Sequence, residues 1–116
     1  GTAIIRKGSE KNMQGKGAFQ MTADFQKNEV RIDAVTSADA DNNIAGMYFS
    51  ADKMKIVPST GAFSTDSATI GLSNGATESA SINGYFAGTD AEGVHGLAYS
   101  NDTQNYTGAF YGKKSQ

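Results

Sequence analysis

A chain with a single histidine can build a Ser-His-Asp relay only around that residue, and here it is His95. Metal sites made from several histidines are excluded on the same count. The sharper chemistry for a lone histidine is axial ligation of haem iron, which one imidazole or one tyrosine can support. That ligation also needs an apolar slot, and nothing around Val94-His95-Gly96 announces one. The other reading is a strand histidine facing solvent beside Gly96. No cofactor is expected, and His95 is the haem candidate.

Other groups have the right atoms in weaker patterns. Asp39-Ala40-Asp41-Asn42-Asn43 places oxygen ligands at alternating positions, as the opening of a calcium loop does. The sixth position, which needs glycine, is Ile44, and the twelfth, which needs an acid, is Ser50, so the stretch reads as a solvated loop. Paired carboxylates for proton transfer would have to come from Asp24, Asp33, Glu78, Asp90, Glu92 or Asp102. Most of these fall in turns or on wet strand faces and read as solubility. Lys53, Lys55, Lys113 and Lys114, with Arg6 and Lys7, form either basic patches for a partner or scattered charges that discourage edge-to-edge aggregation. The chain is expected to be no enzyme.

The tyrosines are more informative. Tyr85 precedes Phe86, so a strand that buries Phe86 turns Tyr85 outward; Tyr99 and Tyr111 stand beside small residues in the same way. Exposed aromatics in a row mark a protein-binding face, and Tyr85, Tyr99 and Tyr111 are the candidate partner-binding residues. Cross-strand packing over glycine explains the same pattern.

The elements that position these residues are strands. In 81–113 the units Ile82-Asn83-Gly84-Tyr85-Phe86, Val94-His95-Gly96-Leu97-Ala98-Tyr99 and Thr107-Gly108-Ala109-Phe110-Tyr111-Gly112 each set a glycine close to an aromatic. Glycine recurring inside β-branched and aromatic runs implies a sheet so curved that a side chain there would collide. In 16–26, Phe19, Met21, Ala23 and Phe25 share one face, and Gln20, Thr22, Asp24 and Gln26 the other. A polar turn at 26–29 leads into an alternating strand at 30–36. Further strands are expected at 2–7, 44–50, 54–57 and 68–72, with a turn at 51–53.

Composition agrees. The 116 residues make one domain, 1–116; tryptophan is absent and burial rests on Phe19, Phe25, Phe49, Phe63, Phe86, Phe110 and the tyrosines. A closed sheet suits so sparse a core, because it satisfies its own edges without packed helices. The net charge of −2 and pI near 5.2 argue against nucleic acid. Cysteine is absent, which excludes disulfides and thiolate metal sites. No apolar run is long enough for a membrane-spanning helix. An outer-membrane barrel needs strands of about 9–11 residues with a lipid-facing apolar band, whereas these strands read as mostly shorter, with Gln, Thr, Asp, Arg and Asn on alternate faces. The expected fold is all-β: a small soluble antiparallel up-and-down β-barrel of about eight strands.

The pattern Ile82, Gly84, Phe86, Gly88, then Ala91, Gly96, Gly108, Phe110, Gly112 and Lys113 resembles the C-terminal barrel of the transferrin-binding protein B-like surface lipoproteins of Gram-negative bacteria. That group includes factor H-binding protein and hemophilin-type haem carriers. Upstream, Met21-Thr22-Ala23-Asp24-Phe25-Gln26-Lys27-Asn28-Glu29-Val30 is similar to the family's Asp-Phe hairpin. Gly93 stands where the family usually has Glu, and His95 where it usually has Gly. The resemblance implies the C-terminal domain of a longer exported protein, at the cell surface on the outer membrane or secreted. The implied partners are an outer-membrane translocon, the surface lipoprotein assembly modulator, and a host protein. Host-factor binding or haem and iron acquisition would then belong to an N-terminal domain, and the barrel is expected to be a monomer. The alternative is a lipocalin-like carrier with haem in the barrel mouth.

Overall fold

The computed structural model of the chain describes residues 1–7, 14–38, 46–73, 75–87, 92–101 and 106–113. Eight strands run in order: β1 (Thr2–Lys7), β2 (Gln14–Asp24), β3 (Glu29–Thr36), β4 (Met47–Val57), β5 (Ala62–Leu72), β6 (Thr77–Ala87), β7 (Gly93–Ser100) and β8 (Tyr106–Lys113). Each pairs antiparallel with its neighbour in sequence, and β1 also pairs with β8, closing an up-and-down barrel. The described residues are all-β. Among them no helix is long and apolar enough to cross a membrane.

Alternation decides which face goes in. In β3, Val30, Ile32, Ala34 and Thr36 are buried, while Arg31, Asp33 and Val35 are exposed. The core gathers around Phe110, whose ring lies 5.4 Å from Phe19, 5.7 Å from Phe49 and 6.3 Å from Phe63. Ile5, Ile32, Met47, Met54, Ile70 and Ile82 are fully buried around these rings, so side chains fill the barrel. Phe49, Phe63 and Phe110 carry the burial expected of them, and Phe19 and Phe86 are partly buried.

Phe25 does not. It is 51% exposed, because β2 ends one residue earlier and the chain turns there. The Asp24 carboxylate accepts hydrogen bonds from the Gln26 and Lys27 N–H groups (3.0 and 3.2 Å), and Asn28 takes a positive φ of 55°. Phe25 keeps only an edge-on contact with Phe86, centroids 5.3 Å apart.

The expected turn at 51–53 is instead a bulge inside one 11-residue strand, β4. Ala51 pairs with Ile32 and Met54 with Val30, so Asp52 and Lys53 together oppose the single residue Arg31. Lys53 absorbs the distortion with a φ of 53°. This shift resets the inward phase from Met47, Phe49 and Ala51 to Met54 and Ile56, all buried. The same device makes β5 continuous. Thr65 pairs with Ile82 and Ala68 with Ala80, leaving Asp66 and Ser67 opposite Ser81. Four strands, β2, β4, β5 and β6, therefore reach 11 residues, so the expectation of mostly short strands is corrected. The bulges keep β4 and β5 continuous by repairing breaks in the alternation that otherwise read as strand ends.

Candidate functional site

The three glycine-bearing strands stack in register. Phe63, Gly84, Gly96 and Phe110 are successive cross-strand partners across β5 to β8, all on the inner face. A Cβ at Gly84 would lie 2.7 Å from Phe63 Cζ, and one at Gly96 would lie 2.5 Å from Phe110 Cζ. The two phenylalanine rings thus occupy the volume that side chains at the glycines would take. That arrangement sends the intervening large residues outward.

On the outer face the next row is Ala62, Tyr85, His95, Tyr111 and Thr2, again directly paired. Tyr85 is 48% exposed and Tyr111 54%. The His95 imidazole meets the Tyr85 ring edge-on with centroids 4.0 Å apart. One row further lie Ser64, Asn83, Leu97, Ala109 and Ile4, with Leu97 60% exposed. The two rows border an open groove of about 770 Å³ whose floor includes Gly84 and Gly96 and whose far rim is Val57. No Asp, Glu, Lys or Arg lines it.

Register therefore joins Tyr85 and Tyr111 and inserts His95 between them. Tyr99 shares the face but stands beyond Leu97, where Asn83 Nδ2 donates to its hydroxyl at 3.3 Å. Leu97 and Val57 were missed as exposed apolar residues. The signal for Leu97 was present: small residues at Gly96, Ala98 and Ser100 put His95, Leu97 and Tyr99 on the opposite, outer parity. Val57 becomes part of the groove through the β4–β5 pairing, which sets it opposite Ala62 at the end of the tyrosine row.

The remaining candidates disperse. Asp33 pairs with Arg31 at 3.2 Å on the outer wall, and Asp24 caps its turn. Glu78 lies inside the opposite end of the barrel, where its charge adds to burial in pushing the Tyr106 hydroxyl pKa above its ordinary value. Lys55 reaches Glu29 at 3.5 Å, and Lys7 lies 5.9 Å from the centre of the Tyr106 ring. Asp39–Asn43, Asp90, Asp102 and Lys114 lie outside the described residues. Among the described residues no three His, Asp or Glu side chains come together as a metal set.

What the arrangement offers is contact. An uncharged groove edged by two tyrosines, an imidazole and a leucine suits another protein's apolar and hydrogen-bonding groups. Compared with known proteins, the chain matches no family model and no curated protein.

Proposed function

We propose that the chain is a non-catalytic binding barrel of the transferrin-binding protein B-like type, a cell-surface or secreted domain recognised by an outer-membrane surface lipoprotein assembly modulator. The contact with that translocon is made by the outer wall of β6 to β8. The observation that supports this is the directly paired outer row Tyr85, His95 and Tyr111, exposed, with no Asp, Glu, Lys or Arg lining the groove beside it, and backed by Leu97. Soluble surfaces seldom leave so many large apolar groups side by side without a partner for them. The inside of the barrel supports the same reading over a carrier, because Phe49, Phe63 and Phe110 with Met47 and Met54 fill it. His95 points away from that interior.

The test is export of a passenger fused to this barrel in Gram-negative cells with and without the modulator. Surface display should depend on the modulator and fall several-fold in a Tyr85→Ser, Tyr111→Ser double variant. Both side chains are half exposed, so the variant should keep its folding stability within about 0.5 kcal/mol per site. Equal display without the modulator would overturn the reading.

A further inference from the structure

The outer row that carries Tyr85, His95 and Tyr111 continues past β8. Thr2 pairs with Tyr111, Ala18 with Thr2, Val35 with Ala18 and Tyr48 with Val35. Tyr48 lies on β4, the strand whose other end supplies Val57 at the groove's rim, so the row winds once around the barrel as it shifts along the strands. From Val57 to Tyr48 it contains no Asp, Glu, Lys or Arg. Charges stand in the rows to either side, Lys113 and Asp33 on one and Lys16 and Lys55 on the other. On β2 to β4 the row opens again into a cleft of about 490 Å³ beside Ala18, Val35 and Tyr48, where Val35 is 56% exposed. Asp33 borders this cleft with its carboxylate turned to Arg31 at 3.2 Å.

We propose that an extended, uncharged arm of the translocon follows this row out of the tyrosine groove, across β1 and β2, to Val35 and Tyr48. The inference rests on the export contact proposed above and adds its course. Shape favours an arm. The groove on β5 to β8 and the cleft on β2 to β4 lie on different sides of a closed barrel, so a flat or convex surface that covers one leaves the other bare. A second copy of this barrel is itself convex and is disfavoured by the same geometry.

Electrostatics sets the width. A broad encircling surface would also cover Lys113, Asp33, Lys16 and Lys55, and taking each of these out of water costs free energy unless the partner supplies a matched group. A single extended chain lies along the uncharged row and leaves those four groups solvated. Its side chains meet tyrosine rings and the Val35 methyl groups in turn, which suits apolar and hydroxyl-bearing residues and no charges.

The test places a photo-crosslinking residue at Val35, Tyr85 or Thr22 of the passenger fusion, in cells that carry the modulator, and identifies products with an antibody against the modulator. Val35 lies on the row, Tyr85 in the groove, and Thr22 on β2 off the row; all three are exposed. The modulator should be captured from Val35 and Tyr85 and not from Thr22. Val35→Glu should lower display several-fold and Thr22→Glu leave it unchanged, although each removes a β-branched residue from a strand. Capture from Tyr85 without capture from Val35, or parental display in Val35→Glu, would end the contact at β8 and overturn this inference while the export reading stands. Capture from Thr22 as strong as from Val35 would replace the arm by a broad surface. A Val35 product containing a second copy of the chain would make that copy the occupant, and either result overturns the arm. Absence of capture from every position, with display independent of the modulator, would overturn both.

Discussion

The two halves of the barrel wall bend by opposite means. From β3 to β5 the inner face carries Val30, Ile32, Met47, Phe49, Met54, Ile56, Phe63 and Ile70, and the outer face carries residues such as Arg31, Asp33, Lys55 and Ser64. Curvature there comes from two bulges, opposite Arg31 and Ser81. From β6 to β8 the inner face intersperses the small residues Ala80, Gly84, Gly96, Ala98 and Gly108 with Ile82, Tyr106 and Phe110, and the large residues Tyr85, Leu97, Tyr99 and Tyr111 stand outside. The first wall supplies core volume and a polar exterior. The second fills the space over its glycines with Phe49 of β4, Phe63 of β5 and its own Phe110, and leaves an apolar exterior. Where a glycine leaves the inner side to a neighbouring ring, the alternate positions of the same strands carry large outward groups, and the candidate face on β6 to β8 is built from those.

That contrast can be broken from several directions. Phe110→Ala removes the ring that fills the space over Gly96 and touches Phe19, Phe49 and Phe63, and should cost about 3–5 kcal/mol in chemical denaturation. A loss below about 1 kcal/mol would mean that the glycine wall does not depend on the ring over Gly96. Gly96→Val comes next. Its Cβ would lie 2.5 Å from both Phe110 Cζ and the Asn83 carbonyl oxygen, and backbone cannot yield as a side chain can. The cost should lie at or beyond the top of the about 1–3 kcal/mol usual for overpacking. If the contrast is correct, Arg31→Val, a change of comparable bulk at an exposed site of the other wall, should move stability by no more than about 0.5 kcal/mol.

A stabilising change tests the bulge. Lys53 holds a left-handed conformation that costs a side-chain-bearing residue about 1–2 kcal/mol. Replacing it with glycine relieves that cost and adds about 0.5–1 kcal/mol of unfolded-state entropy. Lys53→Gly should therefore stabilise the barrel by about 0.5–1 kcal/mol, measured by the same denaturation. Destabilisation would show that the Lys53 stem contributes packing in the wall. Arg31→Val and Lys53→Gly lie outside the groove, so on the proposed function both should retain modulator-dependent display.

Most of the strand pattern was legible because period-two alternation is local. β1 is found with its bounds as read, and β3 differs by one residue at its start. The misreadings fall where alternation breaks. A phase change at 51–54 or 65–68 is satisfied equally by a turn or by a bulge, and the choice depends on whether a neighbouring strand continues alongside. β3 continues past the first and β6 past the second. Phe25 was misplaced for a related reason: its parity was correct, but the strand had already ended at a turn capped by Asp24. For the candidate site, parity alone turned Tyr85, Tyr99 and Tyr111 outward. It did not show that His95 falls between two of them, because pairing partners are set by inter-strand register.

By itself, then, the sequence determined the all-β class, the roughly eight strands, which residues of most strands face in, and that a glycine wall must bend. Those properties depend on steric and solvation preferences of residues near one another in the chain. Only the tertiary structure decided that β1 returns to β8 and that Gly84 and Gly96 lie side by side beneath rings from β5 and β8. These depend on register and closure, which fit all eight strands around one core at once. No single stretch of the chain contains that information.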